Sequence, residues 1–309
     1  MKSNAQTEYY KTDWMNVEKL IEEGRPTSAL KILKDIYQKA KAQKQDAQVI
    51  KSLMYITQLQ DENREDNLEK SIKEIEDEIT QSTEPAASIL RNYLATLYWE
   101  FFQDIRYKLY NRTNTPTYQK DDIATWSAED FHKKITELYL ASLQNSKQLQ
   151  QTKLEPYDAL IQKGNSRHLR PTLFDLLAHE ALDYFENDEI EIIQPENKFE
   201  IKQAEAFAPA TAFANTELLT TDSTAPKYVA LLIYQKLIRF HLNDPKPDAL
   251  IDVDLKRLQF VRSHFVVPED HTRSFYIVDG QPVHALDMPM DLIESVQIIP
   301  PQEAVILYG

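Results

Sequence analysis

Residues 179–183 read His-Glu-Ala-Leu-Asp. A histidine followed by glutamate on a helix opens the HExxH arrangement, where two imidazoles one turn apart hold zinc and the glutamate serves as general base. Position 183 is aspartate, so the second imidazole is missing. A cation held between His179 and Asp183 is conceivable, but an ordinary histidine on a partly buried helix is the simpler reading. The other histidines, at positions 132, 168, 241, 264, 271 and 284, form no close ligand pair in sequence. No catalytic, cofactor-binding or metal-binding residue is assigned from these patterns, and no cofactor is expected.

Residues 163–170, Lys-Gly-Asn-Ser-Arg-His-Leu-Arg, are locally basic in an acidic chain. Such a stretch suits an anionic group or a partner loop. More often its residues cap helix carboxyl ends and bridge neighbouring acids. The run 74–78, Glu-Ile-Glu-Asp-Glu, reads as the wet face of a helix.

Glycine and cysteine narrow the chemistry. Only 4 glycines occur in 309 residues, at positions 24, 164, 280 and 309. A GxGxxG loop, a P-loop and a GxSxG elbow all need clustered glycines, so dinucleotide folds, P-loop NTPases and the usual serine-esterase elbow are disfavoured. The chain has no cysteine, which excludes disulfides, thiolate-bound metals, thiol nucleophiles and an internal thioester. The net charge of −14 repels phosphate backbones, and no basic stripe offsets it, so nucleic acid is not an expected partner. The polar opening MKSNAQTEYYKTDW contains no apolar core of signal-peptide length, and no membrane-spanning segment is expected.

The elements that must carry these residues are helices. Apolar residues recur at intervals of three and four along most of the chain. Asp13 is placed to cap a helix bearing Trp14, Val17, Leu20 and Ile21, which Gly24 ends. Pro26 opens a second helix with Ala29, Leu30, Leu33, Ile36, Tyr37 and Ala40 inward. Further helices are expected over 46–60 and 65–80, and the longest over 85–110 with a wide aromatic stripe. Leu94, Leu97 and Phe101 of that stripe are expected in the core. After a polar loop at 111–122, with a sequon at Asn111, Ser127-Ala-Glu-Asp130 reads as a capping box. Helices are expected from about Thr152, from Pro171, over 225–242 and over 247–265. The stretch 187–223 loses helical period and suits short strands or an extended crossover.

Several stretches together resemble a known family. They are Gly24-Arg-Pro-Thr-Ser-Ala-Leu with Ile36-Tyr-Gln-Lys-Ala40, Leu97-Tyr-Trp-Glu100, and Ile105-Arg-Tyr-Lys-Leu-Tyr-Asn-Arg-Thr113. Then come Lys163-Gly-Asn-Ser-Arg167 with Arg170-Pro-Thr-Leu-Phe-Asp175, and Asp248-Ala-Leu-Ile-Asp252 with Leu255-Lys-Arg-Leu258. In this order, over roughly residues 8–266, they resemble the N-terminal helical region of bacterial (Bacteroidetes-type) alpha-2-macroglobulin-like proteins. The resemblance implies an envelope molecule that traps or inhibits proteases, with its macroglobulin and thioester-type domains far downstream of this region.

Residues 274–309 change character. Ser274-Phe-Tyr-Ile-Val-Asp-Gly-Gln-Pro-Val283 reads as a strand, a turn and a second strand, and Asp291-Leu-Ile-Glu-Ser-Val-Gln-Ile-Ile299 as a helical turn into a strand. This tail resembles a plug segment of TonB-dependent receptors. Pro300-Pro301 replaces the charged pair of that pattern, and a plug would continue past Gly309, so a partial unit is expected.

The sequence therefore predicts a mainly α protein, an irregular array of helical hairpins of the tetratricopeptide (TPR-like) kind with a small C-terminal α/β unit. A helical domain is expected over 1–267 and a plug-like tail over 268–309, docked on the last helix. The expected function is a non-enzymatic scaffold or interaction module of an alpha-2-macroglobulin-like envelope protein, with a protein as partner. Its place would be the periplasm or cell envelope, and the cytoplasm if the family reading fails. The alternatives are a free-standing adaptor with a peptide groove and a hydrolase using dispersed carboxylates.

Overall fold

The computed structural model describes residues 2–61, 67–109, 123–161, 164–188, 199–266, 275–278 and 281–284. The fold is mainly α. The first third of the chain runs α1 (Lys2–Glu22), α2 (Pro26–Ala42), α3 (Asp46–Asp61), α4 (Asn67–Gln81) and α5 (Ala86–Leu109). There follow α6 (Ala128–Ser142), α7 (Ser146–Gln151), α8 (Leu173–Phe185), the single turn α9 (Ala210–Phe213), α10 (Pro226–His241) and α11 (Asp248–His264). From α1 to α5 each helix packs on the next, and α5 packs on α6 and α8. Short turns between amphipathic helices return the chain on itself, so the array is built of hairpins.

The first turn is fixed at Gly24, whose φ of +67° lies in the left-handed region that glycine adopts without strain. Its N–H bonds the Ile21 carbonyl, and the Arg25 N–H bonds the Leu20 carbonyl. Pro26 then supplies the first helical residue of α2, where its missing N–H removes no bond. Asp13 does not cap α1. The helix starts at Lys2, and Asp13 lies mid-helix, facing Lys39 of α2 at 3.3 Å.

Helix α3 joins two hydrophobic clusters. Val49, Ile56 and Leu59 pack with Tyr10, Trp14, Leu33 and Ile36, whereas Ile50 and Leu53 belong to the large cluster built on α5, α6, α8 and α10. In α4 one acidic residue of the run 74–78 departs from the expected wet face. Glu78 is only 4% exposed, takes the Tyr37 hydroxyl hydrogen bond and pairs with Lys41 at 2.7 Å. A charge is buried there because a cation and a hydroxyl both reach it.

In α5, Leu94 and Leu97 are buried as expected, but Phe101 is only partly so. Its neighbour Phe102 is the fully enclosed ring, 1% exposed, against Phe131 and His132. The stripe of α5 is wide enough that periodicity alone did not separate its centre from its edge.

The Ser127 capping box of α6 forms: Asp130 N–H donates to Ser127 Oγ, and Ser127 N–H donates to Asp130 Oδ2. Thr152 ends a helix instead of starting one. The short helix α7 stops there, and residues 155–157 form a 3-10 turn with Pro156 in its first positions. The Thr152 carbonyl accepts the Leu173 N–H and Lys153 bridges Thr172, so this strip of backbone is tied to the start of α8.

Residues 199–225 form the crossover to α10. Without regular ladders, its carbonyls need other donors. Gln235 donates to the Phe213 and Thr216 carbonyls, Arg239 to Ala214, and the buried Arg257 to Ala206. Arg257 also lies over the Phe213 ring, 4.4 Å from its centroid, and pairs with Asp254. Ile201 makes one parallel bridge with Phe265.

In the tail, β1 (Phe275–Val278) and β2 (Gln281–His284) pair antiparallel, with Phe275 opposite His284. The rest of the α/β unit, its docking, the sequon at Asn111 and residues 189–198 of the stretch without helical period lie outside the described residues.

Candidate functional site

Helix α8 carries Asp175, His179, Glu180 and Asp183 within three turns. Its start is fixed by Thr172 and Asp175. Asp175 N–H donates to Thr172 Oγ1, and Thr172 N–H and Oγ1–H both donate to Asp175 Oδ2. The other oxygen, Asp175 Oδ1, takes Nε2 of the buried His241 at 2.7 Å, and His241 Nδ1 meets Asp244 Oδ2 at 2.6 Å. Burial alone would favour neutral imidazole. The hydrogen bonds and charge of Asp175, then of Asp244, reverse this and raise the His241 pKa. This junction locks α8 to α10.

With α8 so held, its side facing α3 and α5 borders a cavity of about 580 Å³. Met54, Ile89 and Tyr93 line one side, Tyr157, Leu160 and Ile161 a second, and Leu173, Leu176 and Leu177 the α8 wall. Trp99, Tyr139 and Tyr184 complete an aromatic end, with Trp99 and Tyr184 edge to face at 5.2 Å. Apart from the tyrosine hydroxyls and the Trp99 indole N–H, the polar residues of the lining are Asn92, Thr96, Glu180 and Asp183. Thr96 Oγ1 and the Tyr139 hydroxyl are 3.2 Å apart.

Asn92 stands out among these groups. It is 1% exposed, and its Nδ2 donates to the Leu177 carbonyl at 3.2 Å and to Ser142 Oγ. Its Oδ1 has no donor among the described residues. A buried acceptor without a donor is costly, so one at a cavity wall marks a place for a water or ligand group.

Glu180 retains exposed surface but sits in this hollow among protein walls. Desolvation raises its pKa from 4.5 to about 7, Asp183 raises it further and Arg170 opposes both. Water still reaches the carboxyl through the mouth of the hollow. The native state thus binds the Glu180 proton more tightly than the unfolded chain does. Its ionisation destabilises the fold as pH rises from 4.5 through about 7. Glu180→Gln should therefore gain stability relative to the parent at about pH 8 more than at about pH 5. Urea unfolding at both pH values checks this, and an equal difference at the two would contradict it.

Across α8 lies a second, smaller recess of about 400 Å³, bordered by His179, Asp183, Glu186, Tyr234, Lys256 and Gln259. The Tyr234 hydroxyl donates to Glu186. His179 is buried, and its Nε2 has no partner among the described residues. Desolvation, then Arg170, Lys256 and His241, pulls its pKa down to about 3, so the ring is neutral. Asp183 borders both recesses.

The pentapeptide 179–183 thus splits across the helix, with His179 on one recess, Glu180 on the other and Asp183 on both. Among the described residues, no three His, Asp or Glu gather as a metal site would require. Arg167 pairs with Asp158 at 2.6 Å, and Arg170 acts on Glu180 and Asp183, so these basic residues bridge neighbouring acids. Lys163 lies outside the described residues.

Sequence reasoning missed Asn92 and Trp99 as lining residues. Asn92 had a signal, since it is a polar residue amid the apolar stripe of α5. Trp99 had none, because a partly buried aromatic beside a core stripe reads as packing. No described helix is long and apolar enough to cross a membrane. No family model, no curated protein and no solved structure matches the chain.

Proposed function

We propose that this chain is a non-enzymatic scaffold and interaction module of a bacterial alpha-2-macroglobulin-like envelope protein, with the α8 cavity as its contact site. The observation that carries the binding role is the cavity itself. It is open to water, walled by aliphatic side chains and rings, and holds at Asn92 an acceptor without a donor among the described residues. The family part rests on the motif order described above, and places the molecule in the periplasm or cell envelope. A free-standing helical-hairpin adaptor with a peptide groove, cytoplasmic or not, is the alternative compatible with the same cavity.

The test begins with the gene. The reading frame that encodes this chain is expected to encode macroglobulin domains as well. Those domains, expressed separately, should co-sediment with the chain at micromolar concentrations. Trp99→Ala, in the cavity wall, should weaken the complex. A frame without such domains removes the family assignment, and a complex insensitive to Trp99→Ala removes the cavity from the contact.

One observation favours a second reading. A carboxyl whose pKa lies at about 7, as at Glu180, is poised for general acid or base work. Hydrolysis of chromogenic esters or glycosides that Glu180→Gln abolishes would establish that reading over the scaffold.

A further inference from the structure

We propose that the α8 cavity receives an organic cation, an apolar body ending in an ammonium or guanidinium group. This rests on the reading of the cavity as a binding site and adds the chemical class of what enters it.

Three independent features of the cavity point to this class. The first is the inventory of polar atoms. Glu180 and Asp183 present carboxylates, which when ionised only accept, and Asn92, a residue 1% exposed, presents an amide oxygen without a donor among the described residues. The amide orientation is fixed by its own contacts, because Asn92 Nδ2 already faces the Leu177 carbonyl at 3.2 Å. A ligand that satisfies this set must bring N–H groups. An anion or a bare acceptor would leave Asn92 Oδ1 unpaired and face two acids.

The second feature is the rings. Trp99 and Tyr139 border the same hollow as the carboxylates. Aromatic faces attract cations through their quadrupole and accept the apolar stem of the same ligand. The third is the field around the site. Arg170 lies close enough to act on Glu180 and Asp183, and Lys256 acts on Asp183 from α11. These cations do not hold Glu180 in the ordinary carboxylate range, since burial and Asp183 outweigh Arg170. A cation entering the hollow adds counter-charge to that which Arg170 and Lys256 supply among the described residues. The chain's net charge of −14 steers cations toward it from a distance.

Two sources carry this chemistry, a lysine or arginine side chain of a protein partner and a free small amine. The experiment is calorimetric titration of the whole chain at about pH 7 with four probes: 2-phenylethylamine, 2-phenylethanol, a capped pentapeptide with lysine between two phenylalanines, and its norleucine counterpart. The charged member of each pair that binds should do so at least about tenfold more tightly than its neutral isostere. The Glu180→Gln/Asp183→Asn double variant should bring that ratio to about one while keeping the binding of the neutral probe.

A second readout needs no variant. Cation binding favours the ionised Glu180, so the complex should release protons at about pH 7, seen as a binding enthalpy that changes between Tris and phosphate buffers. Asp183, Arg170, Lys256 and the Tyr139 hydroxyl face or act on the same hollow. Tyr139, raised to about 12, stays protonated there and contributes none of that release. If the amine binds with this preference and neither peptide does, the cation assignment holds and the protein-scaffold reading fails. If both peptides bind equally, the scaffold reading holds and the cation assignment is overturned. Absence of binding by every probe at millimolar concentration overturns it too.

Discussion

His241→Ala should destabilise the protein by about 3–5 kcal/mol, the range for breaking a buried ion pair by removing one partner. The reason is local. Asp175 has no surface exposure, and without the imidazole its Oδ1 is a buried carboxylate oxygen lacking a donor at the first turn of α8. The effect should depend on pH. Because the folded state raises the His241 pKa, its stabilising contribution is complete below the unfolded value of 6.5 and is lost as pH rises through the folded one. The difference between parent and His241→Ala should accordingly shrink in strongly alkaline buffer. Asp175→Asn should also destabilise, and in a double-mutant cycle the two losses should be far from additive. Urea titrations at several pH values supply all of these numbers. Additive losses with no pH dependence would mean that imidazole and carboxylate do not act as a pair.

Phe102→Ala should cost about 3–5 kcal/mol, the usual range for emptying a fully enclosed aromatic site. Phe102 is 1% exposed and its ring stacks near Trp99 at 5.6 Å and meets His132 at 4.7 Å. Phe101→Ala should cost clearly less, because Phe101 already contacts water along part of its surface. Thermal or urea unfolding of the two variants side by side checks this ordering. The reverse ordering would shift the centre of the α5 stripe by one residue. The Phe102 variant should also loosen the aromatic end of the cavity through Trp99, so its ligand affinity is informative only alongside its stability.

The helices were legible because their signals are local. Proline at the start of α2, the capping box at Ser127 and the left-handed Gly24 each act within one turn, and they placed those boundaries well. The failures came where tertiary partners decide. Glu78 looks solvated in a run of acids, yet Lys41 and Tyr37, about one hairpin away, draw it inside. Thr152 looks like a start, but its carbonyl is taken by Leu173, which nothing in the sequence near 152 announces.

The site was legible only as fragments. His179, Glu180 and Asp183 were conspicuous as a pentapeptide, but a one-residue step on a helix is a turn of about 100 degrees, so the three diverge to different recesses. The charges acting on Glu180, those of Asp183 and Arg170, are close in sequence, but the walls of its hollow come largely from α5 and α6, some forty to ninety residues earlier in the chain. Asn92 carries the strongest ligand signal, and its meaning depends on Leu177 and Ser142 lying against its Nδ2.

The central claim is that the α8 cavity is where this chain makes its contact. The most direct measurement is amide hydrogen exchange on the chain alone and joined to, or mixed with, the macroglobulin domains of the same reading frame. The account predicts that slowed exchange on association concentrates in residues 155–161, the first two turns of α8 and the middle of α5. Exchange unchanged in those segments, with protection falling elsewhere on the helices, would contradict it.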